Sequence, residues 1–520
     1  MNVGEIVRRQ ARWAPDKVAT IDGAEQITYG QLHERSDRLL GALNALGLKK
    51  GDRVATLSDN CGRYVEVVAA AAKGGLIVVP INPRLNASEV AFILRNSGPS
   101  VLIGSSVYRG IIAEASKSAP ELIRVFYFDA DQEGDRYEQL IFAKNPSPAE
   151  VEVEPDDGLF ISYTSGTTGV HKGALMTHHN LVINAANVAL HCEMTPATRA
   201  LVVMPQSTGG CNHHIVLPTL FVGGTLVVLD ARNFEPGRCL GAIQEHRITH
   251  VQLVPTMIYR LLDSPQFDQF DISSLQVLGY GSAPMAVERL REALDRFGPI
   301  FIQIYGQTEA GSVAVCMSKQ HHIDALEAGS LEILGSSGRP INTVDVRIVD
   351  ENGNDVPVGE TGEVILRGDT IMQGYWNAPD ETAEALRNGW LHTGDLARAD
   401  DAGFIYHVDR KKDIIISGGV NISAREIEEI IYRHPGVREC AVIAVPDPHW
   451  GESVKAVIAV RDNHQVNAEE ITQLCRTHLA SFKCPRSIDF ITEFPKSGMG
   501  KILKRELKKM YWQDQERLVS

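Results

Sequence analysis

The chain has 520 residues, of which 44% are hydrophobic, and so has room for two to four structural units. Its 51 basic and 65 acidic residues leave a formal net charge of -14, which excludes a surface built to coat nucleic acid but not a local pocket for a small anion. Eight scattered cysteines without a CxxC pair point to a reducing compartment and away from a zinc module or a disulfide scaffold.

The opening MNVGEIVRRQARWAPDKVAT is broken by charges and lacks the apolar core of a signal peptide; Glu5 and Asp16 also speak against a basic presequence. From residue 1 to about 150, helical stretches such as TYGQLHERSDRLLGALNAL alternate with the short apolar strands RVATLS, LIVVPI, SVLIGSS and RVFYF. The run VEVVAAAAKGGLIVVPI holds Lys73 and two glycines and is too short to span a bilayer, so a cytoplasmic protein is expected.

Next comes YTSGTTGVHKG, Tyr163 to Gly173, fed by the strand-like GLFISYT. Its glycines, hydroxyls and Lys172 suit a phosphate cradle, while a polar surface turn is the plainer alternative. Thr177 caps a following helix on which Leu181, Asn184, Ala185 and Val188 repeat, so a strand, glycine loop, helix order is expected. GxxxxGK[ST] is not met, because His171 precedes the lysine and Gly173 follows it.

ALVVMPQ, GTLVVLD, THVQLVP, QVLGYGSAP and FIQIYG continue the alternation, which implies sheets covered by helices with ligand sites in the strand-end loops. Within IYGQTEAG, Tyr305 can cover a planar ring, Thr308 can contact phosphate and Glu309 can hold a magnesium ion. Near residue 330 the pattern turns to alternating strands in LEILG, VDVRIVD and GEVILRG, a smaller β-rich unit. WLHTGDLA and YHVDRKKDIIISGG offer Asp395 and Arg410 for a ribose, with a domain boundary at Arg410 to Asp413. AVIAV, SVKAVIAV, PRSIDFI and the helical QLCRTHLA build a terminal α/β unit, and PKSGMGKILKREL places Lys501 on a glycine turn.

Taken together, in this order from Thr164 to Lys501, these motifs resemble the adenylate-forming superfamily of acyl-CoA synthetases, adenylation domains and beetle luciferases, over essentially the whole chain. The resemblance implies an α/β fold: a large N-terminal domain, 1–410, of two sheet-helix subdomains (about 1–160 and 161–330) and a small β-barrel (331–410), then a small mobile α+β domain, 411–520. It implies that Thr164, Ser165, Gly166, Thr167, Thr168, Gly169 and Lys172 handle the β- and γ-phosphates of ATP. Gly281, Ser282 and Ala283 would flank an adenine packed on Tyr305, and Gly306 would belong to the same ATP-binding set. Thr308 would contact the α-phosphate, Glu309 carry Mg2+, Asp395 and Arg410 bind ribose, Lys501 bridge carboxylate and phosphate, and Lys412 act as the hinge.

On that resemblance a carboxylic acid becomes an acyl-adenylate and then a CoA thioester, with ATP, Mg2+ and coenzyme A required and a homodimer plausible. CoA would pass Ser417, Gly418 and Gly419. Alternatives are a linear fatty acid ligase, an adenylation enzyme serving a separate carrier protein, and a non-catalytic nucleotide-binding protein. Where many members carry an aromatic residue and a histidine, this chain has Ser207 and Thr208, followed by Gly209 and Gly210. Those small residues imply a wide acyl pocket for a bulky hydrophobic monocarboxylate, and His213 and His214 are candidates to refill its gate.

Overall fold

The structure, a computed structural model, describes residues 1–129, 136–142, 148, 151–165, 171–230, 232–410, 413–417, 419–462, 464–496 and 502–512. Two large mixed sheets carry the first three-quarters of the chain. One has nine strands in the order Arg339–Pro340, Val315–Met317, Phe301–Tyr305, Val277–Gly281, His250–Leu253, Arg199–Val202, Thr225–Val228, Val18–Asp22, Glu25–Thr28. The other has seven, in the order Gly374–Tyr375, His171–Thr177, Gly158–Ser165, Ile77–Pro80, Arg53–Leu57, Val101–Gly104, Arg124–Tyr127. Their central strands pair in parallel and are buried along their length, as in Ile77–Pro80 and Val101–Gly104, because helices cover both faces.

The helices follow the sequence signals closely. Tyr29–Ala45 starts at a capping box between Thr28 and Gln31 and buries Leu32, Leu39, Leu40 and Leu43. The apolar run weighed as a span is split between two elements: its first part lies in helix Gly62–Gly74, buried on nearly every side and ended by Gly75 in the left-handed region at φ +64, and its second part forms the strand Ile77–Pro80. Lys73, inside it, reaches Asp37 Oδ1 at 2.7 Å and Ser36 Oγ at 2.8 Å, so the buried ammonium is paired. Among the described residues no helix is long and apolar enough to cross a membrane.

A third, antiparallel sheet joins Val344–Val349, Gly362–Gly368 and Trp390–Ala399, with Leu386–Arg387 and Ile405–Arg410 on the last of these. A fourth joins Val420–Ile422, Ile415–Ser417, Gly451–Val460 and Val437–Asp447, and Ser487–Phe490 lies parallel to Gly451–Val460. An apolar cluster of Ile415, Ile427, Ile431, Val442, Ile458 and Ile471 draws only on residues beyond 414 and is separate from the main core. Arg461 reaches from this unit to Asp263 and Glu292, each at 3.7 Å.

Two expectations need correction. LEILG is not a strand: Leu331–Leu334 forms one helical turn, burying Leu334 while Glu332 pairs with Arg398 at 2.7 Å, because four residues of alternation fit a helical turn equally well. Nor does sheet membership follow the division at 160/161. Val18–Asp22 and Glu25–Thr28 join the nine-stranded sheet, while His171–Thr177 and Gly374–Tyr375 belong to the seven-stranded one.

Candidate active site

The glycine loop leaves one strand and enters another. Gly158–Ser165 pairs antiparallel with His171–Thr177, Thr164 facing Lys172 and Ser165 facing His171. The expected order of strand, loop and helix is therefore replaced by a hairpin whose second strand precedes the helix. The physical reason lies in HKGALMT: Ala174 and Met176 alternate into the core, and Gly173 gives room to Ile161, whose Cγ2 would stand 2.6 Å from a Cβ there. Thr177 does cap His178–His191, accepting from Asn180 N, but one strand further on. Gly166, Thr167, Thr168 and Gly169 lie outside the described residues, as does the side chain of Ser165. Lys172 Nζ rests 5.3 Å from the centre of the Tyr375 ring, a cation over an aromatic face.

At the carboxyl ends of two neighbouring parallel strands, Gly281 and Tyr305 come together. Gly281 pairs with Ile304, and a Cβ on Gly281 would meet Ile304 O at 2.2 Å, so only glycine permits this approach. The chain then turns through Ser282 at φ +65 to Ala283. The Tyr305 hydroxyl donates to Asp395 Oδ2 at 2.9 Å, and Arg410 Nε pairs with Asp395 Oδ1 at 3.0 Å. Asp395 and Arg410 are direct partners across their two strands. Burial and the Asp395 carboxylate push the Tyr305 phenol well above its usual pKa, so it stays a donor. His407 packs against Tyr305 with ring centres 3.9 Å apart and planes tilted by 41°; burial pushes its imidazole down to about 4, so it is neutral at pH 7.

Gly306 lets the chain fold back on itself, since a Cβ there would meet Ser312 O at 2.4 Å. The enclosed turn holds Thr308 and Glu309 in a single 3-10 turn. Glu309 is 7% exposed; its Oε1 accepts from the Tyr375 hydroxyl at 2.9 Å and its backbone carbonyl accepts from Met372 N at 2.8 Å. No group of three or more His, Cys, Asp or Glu able to hold a metal exists among the described residues. A lone buried carboxylate with one oxygen engaged fits Mg2+ that arrives with phosphate and water ligands, rather than a resident ion in an all-protein cage.

The helix beside this turn runs Gly209–Cys211, continues as a π-helical segment, Asn212–Val216, and resumes as Leu217–Val222. Thr208 turns inward to start it: its hydroxyl donates to Pro205 O at 2.7 Å and accepts from Cys211 N at 3.3 Å. Gly210 is half-buried, whereas Gly209 presses against the Thr308–Glu309 turn, where a Cβ would lie 3.2 Å from Thr308 Cγ2 and 3.3 Å from His213 Cε1. The two histidines divide. His214 Nε2 donates to Ser312 O at 2.9 Å. His213 is fully buried with Nδ1 3.2 Å from Ser312 Oγ, its Nε2 without a hydrogen-bond partner, as is the buried Ser207 Oγ. Burial pushes His213 down to about 3 and His214 to about 4.

Ser417 and Gly419, the latter at φ +80, flank a turn between Ile415–Ser417 and Val420–Ile422. Gly418, Lys412 and Lys501 lie outside the described residues. Asp409 Oδ2 accepts from Ala424 N at 2.9 Å at the start of helix Ala424–Ile431, whose Arg425 donates to His407 O at 2.6 Å. Sequence reasoning brought Tyr305, Asp395, Arg410, Thr308 and Glu309 to one place but passed over Tyr375, His407 and Ser312. The Gly-Tyr-Trp triplet at 374–376, aromatics directly after a glycine, was the available signal for the first.

The family model described as "AMP-binding enzyme" matches residues 7–376, and "AMP-binding enzyme C-terminal domain" matches residues 426–501. The chain is 39% identical to a feruloyl-CoA synthase of Amycolatopsis sp, over 97% of this chain and 98% of that one. It is 34% identical to a long-chain-fatty-acid–CoA ligase of Mycobacterium tuberculosis, over 98% of each. Among solved structures, an anthranilate CoA ligase in complex with anthranoyl-AMP superposes with a TM-score of 0.90 at 26% identity, covering 98% of this chain and 97% of that one. Matched by a family model over well beyond half its length, the chain belongs to the AMP-binding enzyme family.

Proposed function

We propose that this AMP-forming acid–CoA ligase acts on an aromatic monocarboxylate, and that the residues gathered above divide its two half-reactions. The enzyme uses ATP, Mg2+ and CoA: the acid attacks the α-phosphate to give an acyl-adenylate and pyrophosphate, and CoA then displaces AMP. The observation that carries the reading of the site is the bonded group of Tyr305, Asp395 and Arg410 next in the chain to the Thr308–Glu309 turn, with Lys172 brought to Glu309 through Tyr375. Lys172 and the hydroxyls of its loop hold the outer phosphates, Thr308 the α-phosphate, and Tyr305 the adenine face. Asp395 and Arg410 take the ribose; the carboxylate keeps lone pairs beyond those used by Tyr305 and Arg410. Glu309 would hold Mg2+, which would supply positive charge against the departing pyrophosphate. Lys501 places charge on the attacking carboxylate, and Lys412 lets the C-terminal unit, 411–520, turn Ser417 to Gly419 toward the thiol.

Support for an aromatic acid comes from the small residues at Ser207 and Gly210, and from the feruloyl-CoA synthase among the relatives; Gly209, packed against Thr308 and His213, adds no width. The unpartnered His213 Nε2 and Ser207 Oγ favour an acid that carries a polar ring substituent, since buried polar atoms seek partners. A cytoplasmic site of action agrees with eight free thiols, and a homodimer is the expected assembly. CoA-dependent AMP release should be compared across acetate, linear acids of rising length, benzoates, cinnamates and fused-ring acids. Hydroxylated cinnamates or benzoates should give the highest kcat/KM. Acetate or a long linear acid leading by a large factor would overturn the aromatic reading while leaving the ligase chemistry intact.

A further inference from the structure

The segment Met372–Trp376 stitches the phosphate hairpin to the Glu309 turn. Gln373 N donates to Leu175 O at 3.0 Å and Trp376 N to Gly173 O at 2.7 Å, while Met372 N donates to Glu309 O at 2.8 Å. Tyr375 pairs with Ala174, two residues from Lys172 on the same strand. Its backbone is also held from behind, Tyr375 N donating to Thr382 Oγ1 at 2.8 Å. One side chain thus meets both charges: its hydroxyl donates to Glu309 Oε1 at 2.9 Å and its ring face lies 5.3 Å from Lys172 Nζ.

The geometry points to Tyr375 as a positioning residue of the adenylation step, holding the Glu309 carboxylate with its hydroxyl and the Lys172 ammonium against its ring. This rests on the reading of Glu309 as the acceptor of Mg2+ and of Lys172 as a phosphate cation. The hydroxyl occupies Oε1 and leaves Oε2 open, so the carboxylate is set in one rotamer before nucleotide arrives and no ordering is required on binding. The ring keeps the lysine apart from the carboxylate, which would otherwise capture it as an ion pair and remove both charges from the phosphates. A tyrosine that merely filled space would need the ring alone.

Tyr375→Phe separates these roles, because it keeps the ring and deletes the hydroxyl. In acid-dependent ATP–pyrophosphate exchange, the half-saturating Mg2+ concentration should rise about tenfold while the KM for the acid stays within about twofold. Calorimetry without acid supplies a second reading: ATP should bind Tyr375→Phe as it binds the wild type when Mg2+ is absent, and the gain in affinity on adding Mg2+ should shrink. Tyr375→Leu should weaken ATP binding even without Mg2+, through loss of the ring under Lys172. Unchanged Mg2+ dependence in Tyr375→Phe, with Glu309→Gln strongly altered, overturns the role of Tyr375 alone. Unchanged Mg2+ dependence in Glu309→Gln overturns the underlying reading of Glu309 and the Tyr375 proposal with it.

Discussion

Ser312 holds φ at +87, a conformation that disfavours side chains and carries a strain of roughly 1–3 kcal/mol. His214 holds its carbonyl and His213 stands beside its hydroxyl, so the helical segment Gly209–Val222 is fastened to the turn that presents Thr308 and Glu309. Gly209 lies in that seam. A Cβ there would stand 3.2 Å from Thr308 Cγ2 and 3.3 Å from His213 Cε1, closer than packed atoms tolerate without displacement. Gly209→Ala should therefore lower kcat/KM for ATP–pyrophosphate exchange about tenfold for every acid tested, because Thr308 moves whatever the acid. Loss confined to wide acids would mean that Gly209 acts as pocket lining and that the contact with Thr308 is slack. Substituting His213 by Leu, by contrast, should reorder the acids, with the hydroxylated ones losing most.

At the scale of elements, most strands were legible in the sequence because each is a short β-branched run bounded by glycine or proline, as LIVVPI and GTLVVLD show. Motif order brought partners together: Tyr305 donates to Asp395, 90 residues further on, and Arg410 pairs with the other oxygen of the same carboxylate from the neighbouring strand. The hairpin after the glycine loop was not legible, because HKGALMT reads as the approach to the capped helix until Gly158–Ser165 is seen beside it. Tyr375 was hidden for a similar reason, since its value lies in pairing with a strand some 200 residues earlier. The connection to the C-terminal unit has a firm side and a proposed loose one: Asp409 caps helix Ala424–Ile431 directly, and Lys412 follows in the intervening chain. Lys412→Pro narrows φ and removes a backbone donor. Single-turnover assays should show adenylate formation falling less than about threefold and thioester formation from supplied acyl-adenylate falling at least tenfold. If both fall together, Lys412 is not the pivot.

Across the whole molecule, three fully buried histidines make stability depend on pH. His178, His213 and His322 are each 0% exposed, and burial pushes them down to about 4, 3 and 4 respectively. They sit in different places. His178 Nδ1 accepts from Val3 N at 3.1 Å, tying down the first helix, and His322 Nδ1 donates to Ser318 O at 2.8 Å while its Nε2 faces the Tyr280 hydroxyl at 3.0 Å. Above pH 6.5 these groups are neutral in both states and contribute no pH dependence. As pH falls from 6.5 toward 4 the unfolded chain gains protons that the folded chain refuses, and each histidine lowers stability by about 1.4 kcal/mol per pH unit. Glu66, Glu428 and Glu429 act in the opposite sense, since burial raises them and folding then takes up protons; Arg35, Lys504 and Arg425 pull each back toward the charged form. A histidine variant isolates the first effect from the second. Between pH 7 and pH 5 the wild type should lose several degrees of Tm, and His322→Gln, which cannot be protonated, should lose distinctly less over the same interval even if it starts lower. Parallel curves for the two proteins would show that His322 takes up its proton equally well in the folded state, and that burial there does not exclude charge.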